Sequence, residues 1–387
     1  MGGATEPWRI RSIANWLVAA SAYVLAMAAT AIAAEAPRFQ VDAAWPKPLP
    51  NHWLLGQVSG VGVDKDDHVW IIQRPRTLSA DEKGATLNPP RSICCVPAPP
   101  VIEFDQAGNV LKAWGGPGQG YEWPDNEHGI RVDAQGNVWL GGNGAKDGMV
   151  LKFSGDGKFL MQIGHSGPSL GSNDPTQLGR PADIAIDEAA NEVYIADGYA
   201  NRRIIVFDAT SGAYKRHWGA YGKPPQQEKL PMPVPAPGEP SDYDAKAPPS
   251  PQFGNPVHCV KLARDGLVYV CDRINDRIQV FRKDGSFVRE FFYDRATLGN
   301  GAVWDLALWP DKAQSFLINA DGENNLVRII RRGDGAVVGS FGRSGRQAGQ
   351  FHWVHNIAID RGGNVYTTEV DNAKRVQRFK PVSGTPR

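Results

Sequence analysis

One unit is written six times along this chain, and that repetition limits the folds open to it. The fullest copy runs from Ile184 to Phe207. An apolar run, Ile184-Ala185-Ile186, ends in a turn from Asp187 to Asn191. A second run, Val193-Tyr194-Ile195-Ala196, ends at Asp197, and after a polar turn through Asn201 and Arg203 a third run finishes at Phe207. Val260 to Phe281 repeats this order, and further copies begin at Val61 (closed by Asp105 to Asn109), Ile130, Leu306 and Ile357. Short strands of period two, turn residues between them and a unit of about 40 residues are the signature of a propeller with four-stranded blades. The expected class is all-β, a six-bladed propeller.

The last unit, His355 to Lys380, supplies only three strands, and Arg38 to Asp42 can add the fourth. Such a closure joins the two ends of the chain and leaves no open sheet edge. Residues 35–387 are then one ring whose blades each touch only their neighbours, a size that a single compact core rarely reaches. Two Pro-rich insertions interrupt it, at 76–100 and 223–253. The second holds ten prolines and is expected as extended, polyproline-like loop. It leaves the third blade just before the strand bearing His258, so it is either a lid over that rim or a surface linker.

Arg9 and Arg11 precede an apolar stretch, Ile13 to Ala34, that ends in the small residues Ala31-Ile32-Ala33-Ala34. Residues 1–34 therefore read as a signal peptide, which puts the mature chain in the periplasm or outside the cell. Left uncleaved, the stretch would be a membrane anchor. Lys plus Arg number 42 against 41 Asp plus Glu, with no basic cluster interleaved with aromatics, so nucleic acid is not an expected partner. A monomer is expected. Of the four cysteines, the adjacent Cys94 and Cys95 are not expected to bond each other. Cys259 and Cys271 fall on neighbouring strands, either as a cross-strand disulfide or as small buried side chains.

Histidine occupies one position of the repeat in alternate copies: His128, His258 and His355, with Ser59, Ala182 and Trp304 in the copies between. A lone histidine on a strand is usually a packing or surface group. Three at one register, in a closed ring, meet at one rim of the channel with threefold spacing, as three-histidine zinc capture with an open fourth position requires. The other five histidines (His52, His68, His165, His217 and His352) share no position and read as structural or solvated. At the turn after the second strand, which faces the same rim, the chain places Arg74, Tyr199 and Arg273. A guanidinium grips a carboxylate with two bonds, and a phenol beside a cation can serve as a base. The same residue types also finish such turns for packing alone.

The spacing of the repeat and its Asp-x-x-Asn-x-Arg-Ile and Phe-x-x-x-Gly signatures resemble NHL repeats, and four motifs stand out: His128-Gly129-Ile130, Asp197-Gly198-Tyr199-x-Asn201-x-Arg203-Ile204, Asp272-Arg273-x-Asn275-x-Arg277-Ile278 and His355-Asn356-Ile357. In order and spacing they resemble peptidyl-α-hydroxyglycine α-amidating lyase, the lyase half of peptide-amidating monooxygenase, over essentially the whole mature chain. That resemblance implies zinc on His128, His258 and His355, with Tyr199 as the catalytic base. Arg74 and Arg273 would orient a small molecule or peptide bearing a carboxylate. The implied reaction splits a hemiaminal C–N bond into an amide and glyoxylate. The chain also departs from the family. Asn356 stands where family members carry an aspartate that helps to hold a structural calcium, and a neutral amide is a weaker donor for a hard cation, which counts against Ca2+ here. Ala200 replaces a cysteine of the animal enzymes, and the copper monooxygenase half is missing. A metal-dependent hydrolase or lactonase on a related propeller, and a non-catalytic NHL scaffold binding proteins, are the competing readings.

Overall fold

The computed structural model describes residues 1–3, 35–226 and 244–382. The signal-peptide reading of residues 1–34 falls outside the described residues for all but the first three positions, as does the lid-or-linker reading for residues 227–243. Among the described residues no helix is long and apolar enough to cross a membrane.

Residues 35–387 make one compact unit. Its six four-stranded sheets are antiparallel, and the first strands of blades 1 to 6 are Gln57–Val63, Glu127–Val132, Asp183–Asp187, Val257–Leu262, Asp305–Leu308 and Val354–Ile359. Each first strand packs against the first strand of the next blade, and the sixth returns to the first. The chain is a six-bladed β-propeller. The expected closure is present: Phe39–Val41 pairs with Arg375–Pro381, Val41 opposite Phe379.

The core lies in the seams between blades. Six apolar clusters occur among the described residues, each joining two neighbouring blades. Trp218, Phe253 and Phe281 with Tyr194 and Val257 fill the seam of blades 3 and 4, and Trp309, Phe351 and Phe379 that of blades 5 and 6. A blade buries its faces only against its neighbours, so stability belongs to the ring.

The repeat's signature, Asp-x-x-x-Asn-x-Arg in blade 3 and Asp-x-x-Asn-x-Arg in blade 4, has a mechanical use. Asp197 accepts a bond from the Gly179 amide at 2.6 Å, from Asn201 Nδ2 at 2.7 Å and from Arg203 Nε at 2.8 Å. Asp272 does the same for Gly254, Asn275 and Arg277 at 2.8, 2.8 and 2.7 Å. Gln73 takes this place in blade 1, bound by the Gly56 amide at 2.8 Å. Each anchor ties the loop entering a first strand to the end of the second strand. Arg74, Tyr199 and Arg273 follow these anchors within two residues, on stiff backbone.

The expectation for Cys94 and Cys95 is overturned: they form a disulfide with each other, and Cys259 bonds Cys271. The Cys94–Cys95 peptide is cis.

Candidate metal centre

Each innermost strand that carries a histidine is irregular at that point. His258 and His355 are the extra residues of β-bulges, skipped between the pairs Val257↔Asp272 and Cys259↔Cys271, and between Val354↔Glu369 and Asn356↔Thr368. In blade 2 the extra residue is Gly129, just after His128. Its φ is +69°, and a Cβ there would lie 2.6 Å from the Ala182 carbonyl oxygen, so the position takes only glycine. A bulge re-aims a side chain out of the pleat, here toward the channel axis.

The three imidazoles meet there. Their ring centroids lie 5.1 Å (His128 and His258), 4.7 Å (His128 and His355) and 4.9 Å (His258 and His355) apart. One ring nitrogen of each falls within 4.8 Å of the others. All three are buried. His128 Nδ1 contacts the Ala182 carbonyl at 2.7 Å and His258 Nδ1 the Trp304 carbonyl at 2.6 Å. A carbonyl oxygen only accepts, so in both rings Nδ1 carries the hydrogen and, in the neutral ring, Nε2 offers its lone pair. Burial pushes the His128 pKa down to about 3, and Arg74 and Arg273 add to the effect. Burial also holds His258 and His355 well below the ordinary range, reinforced by the arginines and by the other rings. Neutral imidazoles with inward lone pairs fit a divalent cation of borderline softness. His355 Nδ1 has no hydrogen-bond partner.

Tyr199 stands directly against this ring. Its hydroxyl lies 3.1 Å from His128 Nε2 and 3.1 Å from His258 Nε2, and Arg273 Nη1 reaches it at 3.4 Å. Two of the nitrogens that would hold a cation therefore already face the phenol.

The two expected arginines reach the site from opposite blades and differ in how they are held. Arg74 is fixed on three sides, with Nε on the Glu127 carbonyl at 2.8 Å, Nη1 on Gln57 Oε1 at 2.9 Å and Nη2 on Asn143 Oδ1 at 3.3 Å. Arg273 stacks 4.5 Å from the Trp304 ring centre, reaches Asn300 Oδ1 at 3.3 Å and leaves its buried Nε without a partner. Burial lowers the pKa of both, Arg74 to about 10. Neither has a carboxylate partner among the described residues. A cationic pocket with a spare donor suits an anionic ligand.

Two contributors were not foreseen. Arg180 lies 5.7 Å from the Tyr199 ring centre and binds the Asn143 carbonyl at 2.8 Å. It comes two residues before Ala182, and no signal in the sequence marks it. Trp304, which fills the histidine position of blade 5, walls the site against His258 and His355 at 5.9 and 5.7 Å between ring centres. The five unshared histidines stay out of the ring; His352, for instance, pairs with Asp371 at 2.9 Å.

No family model matches the sequence. The chain is 26% identical over 364 residues to human NHL repeat-containing protein 3, covering 89% of this chain and 85% of that one. It is 24% identical over 336 residues to peptidyl-glycine alpha-amidating monooxygenase B of Xenopus laevis, covering 84% of this chain but 34% of the relative. With peptidyl-alpha-hydroxyglycine alpha-amidating lyase 1 of Drosophila melanogaster it shares 23% identity over 368 residues, 87% of this chain and 58% of the relative. The chain thus spans less than two thirds of the length of the two amidating relatives.

Proposed function

We propose that this protein is an exported zinc-dependent lyase that cleaves the C–N bond of an α-hydroxyglycine-type hemiaminal, giving an amide and glyoxylate. The observation that carries the reading is the cluster of three imidazoles, the Tyr199 hydroxyl and Arg273, which has no carboxylate partner among the described residues. The likeness to amidating lyases gives it a reaction. His128, His258 and His355 would hold the metal, which when bound supplies Lewis-acid polarisation and favours ionisation of a neighbouring hydroxyl.

The protein's own groups account for the rest. Arg273, with its spare Nε, and Arg74, locked by three bonds, receive the substrate carboxylate and fix its orientation. Tyr199 acts as the phenolate, whose oxygen takes the proton of the α-hydroxyl and becomes the phenol. The O–H electrons form the new carbonyl, the C–N pair leaves with the nitrogen, and the proton passes to that nitrogen, so no oxidant is needed. Export rests on the sequence of the leader and on two disulfides, which persist in oxidising compartments. A monomer free of nucleic acid and membrane completes the reading.

The test is glyoxylate release from an N-acyl-α-hydroxyglycine, compared with the analogue lacking the carboxylate. The reading expects turnover of the first and a large preference over the second, with KM strongly raised in Arg273→Ala and metal retained. Equal rates on both compounds would rule out the substrate class. No turnover by metal-loaded protein would leave the NHL scaffold as the better reading.

A further inference from the structure

Blades 3 and 5 carry an aspartate one residue past the histidine register, Asp183 after Ala182 and Asp305 after Trp304, and both are buried. Between them lies the ammonium group of Lys261, 2.6 Å from Asp183 Oδ2 and 2.7 Å from Asp305 Oδ1. Lys261 belongs to the His258 strand of blade 4, so one side chain spans blades 3, 4 and 5. The same two carboxylates hold backbone of the histidine strands. Asp183 Oδ2 accepts from the Val260 amide at 3.1 Å, and Asp305 Oδ2 from the Ile357 amide at 2.9 Å, each two residues past a histidine. Arg131, three residues past His128, reaches Asp183 Oδ1 at 3.3 Å. All three histidine strands are therefore tied to one buried ionic cluster.

Burial opposes the charge on Asp183, but Lys261 and Arg131 outweigh it and hold its pKa below the ordinary carboxylate range. The cluster lies farther along the strands than the histidines, above a cavity of about 230 Å³ at the other mouth that Lys261 and Arg131 help to line. None of these groups reaches the imidazoles by a hydrogen bond, so the cluster acts on them through the strands.

We propose that Lys261 is a positioning residue, a tethered cation that draws Asp183 and Asp305 together and so holds the three histidine strands at the register where their imidazoles converge. The proposal rests on the metal-binding part of the function proposed above. A buried charge cluster is rarely a net source of stability, and fixing one arrangement among neighbours is its best-attested use. Outer groups that orient metal ligands typically weaken metal binding 10–100-fold when altered.

The test is Zn2+ affinity, by competition with a chelating dye, on the full chain. Lys261→Met keeps the length of the side chain and loses its charge; Lys261→Ala leaves a space that ethylammonium can enter from the adjoining cavity. Folded Lys261→Met should bind Zn2+ about 10–100-fold more weakly. Ethylammonium should restore much of the affinity of Lys261→Ala and none of that of Lys261→Met. Wild-type affinity in folded Lys261→Met, even with a lowered melting temperature, overturns the proposal, because a purely structural role moves the melt and not the affinity. Should Lys261→Met not fold, Asp183→Asn decides: its amide oxygen still accepts from Val260 but, without a negative charge, no longer pairs with the ammonium as an ion, and unchanged affinity there is equally fatal. The lyase reading fails differently, as zinc-loaded wild type that releases no glyoxylate while these affinity differences stand.

Discussion

At one register the even and odd blades do opposite work. Blades 2, 4 and 6 bring His128, His258 and His355 to the axis, whereas blades 3 and 5 present, at the same step, backbone carbonyls that fix the tautomers of His128 and His258. Odd blades also supply Tyr199 and Arg74, and the aspartates that hold the histidine strands. A sixfold scaffold thereby becomes a threefold site, with one carbonyl support between His128 and His258 and another between His258 and His355. Blade 1 breaks the pattern: Ser59 spends its hydroxyl on the Glu127 carbonyl at 2.8 Å, and His355 Nδ1 finds no partner. The lesson is that the imidazoles and the carbonyls that orient them were separated by parity of the repeat.

The alternation can be broken outright. In a His128→Ala/Ala182→His double variant the chain keeps three imidazoles at the register, but two of them stand in adjacent blades and the threefold spacing is gone. Metal affinity should fall by more than about 100-fold, as in His128→Ala alone. Recovery of binding in the double variant would show that the count of imidazoles matters and their spacing does not.

A smaller effect separates ligand from chemistry. Tyr199→Phe keeps the ring against His128 and His258 and removes the hydroxyl, so metal content should stay at the wild-type level while turnover falls by about 100-fold or more. Undiminished turnover would assign the proton to another group.

The smallest effect sharpens the view of blade seams as supports. Asp276, in blade 4, accepts from the Ala302 amide of blade 5 at 2.7 Å through one oxygen, and its other oxygen has no partner. Burial pushes its pKa up to about 8, with Asp321 and Asp272 adding to it. An unfolded aspartate titrates near about 4, so the folded protein holds a proton that the unfolded chain has released. That contribution is complete below about pH 4 and is lost as the pH rises through about 8. Asp276→Asn keeps the accepting oxygen and removes the titration. Its melting temperature should gain on the wild type by a few degrees between pH 6 and pH 9; parallel curves would mean that the carboxyl is not protonated in the fold.

Much of this was legible in the sequence because repetition multiplies weak signals. One histidine on a strand means little, but His128, His258 and His355 at one step implied a ring, and the structure brings them together with Tyr199. The closing strand at Phe39 to Val41 followed from the missing fourth strand of the last blade. Two features were hidden because they depend on geometry that a pattern of period two does not encode. The bulges at His258 and His355 are single skipped residues. Lys261 meets Asp183 and Asp305 only because blades 3, 4 and 5 are neighbours in space.

The central claim is that the three imidazoles hold a catalytic metal, and elemental analysis of the protein as purified tests it most directly. The account predicts one equivalent of zinc per chain, reduced to background in His258→Ala with the fold retained. A wild-type protein that stays metal-free after incubation with Zn2+, or a His258→Ala variant that keeps its full equivalent, would contradict it.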